Sequence, residues 1–175
     1  MERINSLFDE LKTLQADKKL PPVEAWSPDR IGEIDIRIDE TGRWHHDGRL
    51  IERTAISRVF STILRLDDDE YYLVTPQEKL RIEVEDVPFL GVNLETQGRA
   101  EDLQIIVTTN MDDHVVISSE NPLQMREEIP YVRIRGGLFA RLTRSMFYAL
   151  VEFGQEEAGR WCVYSAGTRF DLGSV

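Results

Sequence analysis

DGRLIERTAISRVFSTIL (Asp47–Leu64) and RGGLFARLTRSMFYALV (Arg135–Val151) decide the fold, because they read as one unit written twice. Each opens with a Gly-bearing turn and continues as an amphipathic helix with an early Arg and a central Phe. Each then runs into two strands. The first copy passes through the acidic turn Asp67-Asp68-Asp69-Glu70 into YYLVTPQEKLRI (Tyr71–Ile82). The second passes through GQEEAG (Gly154–Gly159) into RWCVYSAGTRFDL (Arg160–Leu172). Tyr72–Thr75 matches Cys162–Ser165, and Lys79–Ile82 matches Arg169–Leu172. Two related lobes of this kind meet at a pseudo-symmetric seam, a favoured place for small ligands.

Outward from the repeats, Ile34, Ile36 and Ile38 alternate with charged residues, the pattern of a half-buried strand. A turn at Glu40–Arg43 leads to Trp44-His45-His46, and Asp47-Gly48 turns again. Ile56, Val59, Phe60, Ile63 and Leu64 trace one helical face, which predicts a helix reaching Leu64 and closed by the acidic turn. Pro76 separates a strand at Tyr71–Thr75 from one marked by Leu80, Ile82 and Val84. Phe89–Thr96 and Leu103–Thr109 predict a hairpin. His114–Ser118 and Tyr131–Arg135 predict two strands joined by a polar loop. Leu138, Phe139, Leu142, Met146, Leu150 and Phe153 predict a second helix beginning at the double glycine. At the other end of the chain, Ile4, Leu7, Phe8, Leu11 and Leu14 predict a short helix, ended by a linker at Lys18–Pro22. The whole reads as α+β with mostly antiparallel sheets, not as alternating β-α-β. Its parts are an N-terminal helix and linker over 1–20, a first repeat domain over 21–85 and a second over 86–175.

The 175 residues carry a net charge of −11, and 41% are hydrophobic. That is ordinary globular composition, and the acidic balance argues against a general nucleic-acid binder. Cys162 is the single cysteine, so no intrachain disulfide forms and a reducing cytoplasm is expected. No apolar run is long enough to span a bilayer. Adjacent His45 and His46 point to opposite faces of a strand, so no zinc site is expected. No Gly-rich fingerprint follows a strand, and no nucleophile–base pairing or cofactor motif is seen. Asp67–Glu70 and Asn110–Asp113 lack the spacing of a calcium loop and read as turns.

The most basic stretch of this acidic chain is YVRIRGGLFARLTR (Tyr131–Arg144). Arg133 and Arg135, two apart on a strand, are expected on one face. Gly136-Gly137 is expected to open a helix whose N-terminus, with Arg141 and Arg144, would favour an anion. Gly48, Arg49 and Arg53 repeat the arrangement more weakly. Thr75-Pro76-Gln77-Glu78-Lys79 is a sharp turn rich in functional groups. The candidate ligand-binding set is therefore Arg53, Lys79, Arg133, Arg135 and Arg141 for negative groups, with Thr75, Glu78, Asn110 and Tyr131 setting orientation. Arg135 and Arg141 serve such a site only if ion pairs on the outer surface do not consume them.

PPVEAW, GEIDIRI, TGRWHHDGRLIER, VFSTILR, YYLVTPQEK, VEDVPFL, TNMDD, NPL, PYVRIRGGLFARLTRSMFY and FDLG run in order from Pro21 to Gly173. In these stretches the chain resembles the bacterial family labelled domain of unknown function 1285. The resemblance implies a two-part α+β fold with an internal duplication. It implies a C-terminal part superficially like pleckstrin-homology barrels and no established activity. It also implies a small-ligand site between the parts, nucleotide-like in character, with a role in signalling. The leading expectation is thus a cytoplasmic sensor or regulatory protein for an anionic ligand. The alternative is a protein–protein interaction module, or a homodimer formed through the N-terminal helix. A hydrolase using Asp35, Asp86 or Asp112 ranks last.

Overall fold

The computed structural model describes residues 20–174, and the chain divides between Asp86 and Val87 into two compact units. The predicted helix over Ile4–Leu14 lies outside the described residues.

Unit 1 begins with a 3₁₀ turn at Val23–Ala25. Strands β1 (Arg30–Ile38), β2 (Trp44–His46) and β3 (Arg49–Leu50) lead to helix α1 (Thr54–Ser61). Strands β4 (Leu64–Asp67), β5 (Glu70–Val74) and β6 (Glu78–Val84) complete it. All six strands form one sheet in the order β3-β2-β1-β6-β5-β4. Only the central β1–β6 pair is parallel. Ile36, Ile38, Leu64, Leu73 and Leu80 are buried in its core. From α1, Ile56 and Phe60 are buried, and the Phe60 ring packs 6.3 Å from that of Trp44. Fully burying a side chain such as Phe60 contributes about 2–3 kcal/mol.

Arg65 fastens the start of the described chain to this sheet. It is buried, and its guanidinium donates to the carbonyls of Val23 (2.7 Å) and Trp26 (2.8 Å). Its other edge meets the Asp67 carboxylate at 2.7 Å. Burial alone would raise the Asp67 carboxyl, but hydrogen bonds from Arg65 and Lys79 outweigh it and hold it below its ordinary value.

Unit 2 contains β7 (Phe89–Gln97), β8 (Gln104–Thr109), β9 (His114–Val116), β10 (Leu123–Arg126), β11 (Ile129–Arg135) and β12 (Leu138–Leu142). Helix α2 (Arg144–Glu152) follows, then β13 (Gln155–Glu157), β14 (Arg160–Ser165) and β15 (Thr168–Ser174). The first six strands form a sheet in the order β10-β11-β12-β7-β8-β9, parallel only at β12–β7. The last three form a separate antiparallel sheet. Ser165 Oγ accepts from the Ile105 amide (2.9 Å) and Leu103 O accepts from the Ala166 amide (2.8 Å), so the two sheets are joined. Gly91 lets both β12 and α2 approach β7, since a Cβ there would meet Leu142 Cδ2 of β12 at 2.5 Å and Met146 Cε of α2 at 3.2 Å.

The repeat is real and larger than the sequence reading made it. Each unit contains a β-hairpin, a short helix and a three-stranded meander in that order. In unit 1 these are β2–β3, α1 and β4-β5-β6; in unit 2 they are β11–β12, α2 and β13-β14-β15.

Three turns are built alike around one polar side chain buried at the end of a strand. Asp39 Oδ1 accepts from the amides of Thr41 (2.9 Å) and Arg43 (3.1 Å). Thr109 Oγ1 accepts from Met111 N (3.2 Å) and Asp113 N (3.1 Å). Thr75 Oγ1 accepts from Gln77 N (3.3 Å) and Glu78 N (3.1 Å). Such side chains satisfy amides that a turn would otherwise leave unpaired.

Several predicted boundaries are corrected. α1 ends at Ser61, and Leu64 starts a strand, so Asp67–Glu70 joins β4 to β5 and does not close a helix. Asp68 and Asp69 take φ of +50° and +64°, the left-handed backbone that short hairpins require. The polar loop before Tyr131 holds β10, and its turn at Glu127-Glu128 has φ of +48° and +67°. The second helix starts at Arg144, because Leu138–Leu142 is a strand with Leu138, Ala140 and Leu142 inward. Leu138 and Leu142 are four apart, a spacing that serves both a helical face and an alternating strand. The local cue to the true start is Thr143, whose hydroxyl accepts from Met146 N at 3.4 Å as the N-cap.

Candidate functional site

The structure accounts for the nine candidate residues one at a time, and most are occupied by the fold. In unit 1, Arg53 is the exposed N-cap of α1 and makes no side-chain capping bond. Thr75 is the turn hub described above. Glu78 faces Arg30 Nε at 3.5 Å. Lys79 reaches Asp67 Oδ2 at 2.6 Å and lies 3.9 Å over the Tyr72 ring. These contacts hold a turn and a sheet face together.

In unit 2, Asn110 extends the β7 ladder, its Oδ1 accepting from Leu90 N at 3.0 Å while its amide donates to Leu90 O at 2.8 Å. Arg135 is ion-paired with Asp113 and stacked 5.0 Å from the Phe89 ring. It is removed from the anion site, and the reason is a bulge. Arg133 pairs with Phe139 but Arg135 pairs with Leu138, so two residues of β11 span one step of β12. Opposed residues in an antiparallel ladder share a face. Arg133 therefore lies with Phe139 on one face, and Arg135 lies with buried Leu138 on the other. The expectation that both arginines share a face fails for this reason. So does the helical anion site at Gly136-Gly137, which is the hairpin turn between β11 and β12.

Three of the nine come together. Tyr131 pairs with Arg141 and Arg133 pairs with Phe139, which sets all four on the outer face of β11–β12. Gln124 pairs with Tyr131, so Arg126, two residues on, joins that face from β10. The Arg126 guanidinium lies 4.6 Å from the ring centroids of both Tyr131 and Phe139. Tyr131 is only 5% exposed, so its ring is a fixed platform. Arg133 Nε donates to Gly136 O at 2.6 Å, which orients its guanidinium. Among the described residues no carboxylate lies within ion-pair distance of Arg126 or Arg133. This differs from the other faces, where Arg81 bridges Glu33 and Glu70, and Arg160 meets Asp171.

Sequence reading missed Arg126 and Phe139. The available signal was Leu123–Arg126, a short alternating run separated from Ile129 by two residues, which is the spacing of a hairpin. Phe139 was assigned to a helix that does not begin there.

Other chemistry is sparse. A shallow groove of about 400 Å³ opens in unit 1 where the β1–β6 register breaks between Glu33 and Arg37. Glu33, Asp35, Glu83 and Arg81 are its charged lining residues, and Arg81 is paired with Glu33. Asp35 and Asp112 are exposed, and no described triplet of His, Cys, Asp or Glu is placed to hold a metal ion. Cys162 is fully buried, and burial pushes its thiol up, away from the reactive thiolate. On the meander of unit 2, Arg169, Gln155 and Tyr164 hold the Glu157 carboxyl down at about 2. No described helix is long and apolar enough to cross a membrane.

Comparison with known proteins agrees with this architecture. Residues 21–87 match the N-terminal domain of unknown function DUF1285, and residues 88–172 match the C-terminal domain of the DUF1285 proteins of unknown function. The crystal structure of a DUF1285 family protein from Silicibacter pomeroyi DSS-3 is similar, with a TM-score of 0.86 and 37% identity over 93% of each chain. One from Shewanella baltica OS155 gives a TM-score of 0.58 and 29% identity over 67% of this chain and 90% of that one. No curated protein matches the chain. With both halves matched in order and a 37% identical relative covering nearly its full length, the chain belongs to the DUF1285 family.

Proposed function

We propose that this protein is a non-catalytic regulatory protein that recognises an anionic group through the β10–β12 face of unit 2. The supporting observation is Arg126. Arg126 is exposed and its guanidinium carbon lies 4.6 Å from the centroids of both rings, so a planar fork of N–H donors suited to carboxylate or phosphate is held at the surface. Arg133 stands on the same face and adds charge beside it. The expectation of an anion-responsive cytoplasmic sensor is kept in this form, with the recognition surface placed on one sheet.

A thermal-shift screen tests the reading with nucleotides, sugar phosphates, small carboxylates and oligo-glutamate. A binder at about 100 times its dissociation constant stabilises by about 2.7 kcal/mol. For a protein of this size that raises the midpoint by roughly 2–4 °C per kcal/mol. Arg126→Ala together with Arg133→Ala should abolish the shift, and circular dichroism checks that the variant is folded. A flat screen across every class of anion refutes the proposal.

A further inference from the structure

Independently of the anion site, we infer that the free edge of β7 pairs with the same edge of a second copy of this chain. β7 is nine residues long, but β12 lies along one of its edges only from Phe89 to Gly91. Its other edge is paired with β8 as far as Gln97. From Asn93 to Gln97, no described backbone group bonds to the side that β12 vacates. The β8 ladder shows which groups stand there. Ile105 turns away from β7, since its O accepts from Ile117 N (2.8 Å) and its N donates to Ser165 Oγ (2.9 Å). Alternation then turns Gln104 and Ile106 towards β7, where they meet Gln97 and Glu95. Leu94 and Thr96 therefore present their N–H and C=O groups to the free edge. Asn93, Glu95, Thr96 and Gln97 are exposed and Leu94 is half-buried, so this edge is open. The other strand edges are guarded. Those of β3, β4, β9 and β13 are four residues or shorter, and β10 and β15 lie against each other. The free stretch of β7 has no Pro, no Lys and one charge, Glu95, and the bulge between Gly91 and Asn93 lies only at its start. That single charge selects the register. Two copies related by a twofold axis pair antiparallel through the same residues of each. Glu95 on the axis would set two carboxylates directly opposite, which is destabilising. With Leu94 on the axis, Leu94 exchanges two N–H···O bonds with Leu94 of the other copy, and Asn93 stands opposite Glu95 twice. Asn93 Nδ2 already donates to Glu95 Oε1 at 3.0 Å within one strand, so the two side chains are matched. The edge thus supplies both halves of the contact, which closes at a dimer. So short a contact belongs to the small, reversible class of interfaces.

Sedimentation velocity of the full chain tests this over concentrations of about 5–500 µM, where small interfaces associate. The sedimentation coefficient should rise from that of a monomer towards that of a dimer. Leu94→Pro removes an N–H that the β7–β8 ladder does not use and should hold the protein monomeric. Asn93→Asp sets a carboxylate opposite Glu95 at two symmetric places and should weaken the dimer about tenfold. Asn93→Lys sets an ammonium there and should strengthen it severalfold. Circular dichroism and thermal midpoints check that each variant is folded. Should Leu94→Pro prove unfolded, the opposite signs of the two Asn93 variants carry the test, because Asn93 is exposed. A chain that stays monomeric at the highest concentration overturns the inference. So does a dimer that survives Leu94→Pro and responds to neither Asn93 variant, which would be formed by another surface. A dimer lost in Leu94→Pro but indifferent to the charge at position 93 overturns the Leu94 register.

Discussion

Asp39 shows how much of this fold is held by single polar atoms. Its Oδ2 accepts from Arg43 Nε (3.1 Å) and lies 2.8 Å from His45 Nε2, while Oδ1 takes the Thr41 hydroxyl (2.6 Å) and two amides. Burial opposes its ionisation, but the hydrogen bonds from Thr41, His45 and the turn amides outweigh it and place the carboxyl far below its ordinary range. A depressed folded-state value makes a stability contribution that is present above the unfolded value, about 3.9, and lost as pH falls towards the folded one. Asp39→Asn should therefore destabilise the protein by about 2 kcal/mol at pH 7. The gap to the unmodified protein should narrow as pH drops below about 4. Urea unfolding at a series of pH values measures this, and a gap constant with pH would contradict it. Thr75 carries a related lesson. Its place in a turn crowded with functional groups makes it look like a ligand residue in sequence, yet its hydroxyl is consumed by the turn's own amides. A sequence lists hydrogen-bonding groups but not which of them the backbone has already claimed.

The two helices differ at the element scale in a way that can be measured. α2 is capped by Thr143, whereas α1 starts at Arg53 with no capping side chain and no acidic residue in its first turn. Arg53 has extended φ and ψ of −79° and 95°, the backbone a capping residue adopts. Arg53→Asp should supply the missing acceptor and favour the N-terminal end of the helix dipole, raising stability by about 1 kcal/mol. A raised urea midpoint is the expected result, and an unchanged or lowered one would count against the capping argument. Strand β12 is the element whose reading mattered most for function. Mistaking it for helix moved Gly136-Gly137 to a helix start, where the structure has the β11–β12 hairpin turn. The β11 bulge then divided two arginines that simple alternation had joined. Bulges depend on how one strand is paired with another, so the β11 sequence carries no local mark of this one.

At the scale of the whole molecule, each sheet is drawn from a single unit, and the chain divides between Asp86 and Val87. Unit 2 contains both of its sheets, its helix and the entire β10–β12 face. Residues 87–175 expressed alone should give a strand-rich circular dichroism spectrum and one cooperative urea transition. Ellman's reagent should leave Cys162 unmodified in the folded fragment, because that thiol is buried in the core of unit 2. Rapid modification without denaturant would show that the unit does not hold its structure alone.

The sequence by itself determined most of the strands, their turns, the mixed α+β class and the duplication. These rest on periodicity and turn chemistry, which act over a few residues and are written locally. The parallel pairing of β1 with β6 and of β7 with β12 joins strands far apart in the chain, and only the tertiary structure decided it. The same is true of the candidate site. Arg135 is lost to Asp113, 22 residues away, and Arg81 to Glu33, 48 residues away, because ion pairing follows proximity in space. Arg126, Tyr131, Arg133, Phe139 and Arg141 become one surface only when three strands lie side by side, and that juxtaposition is a product of folding.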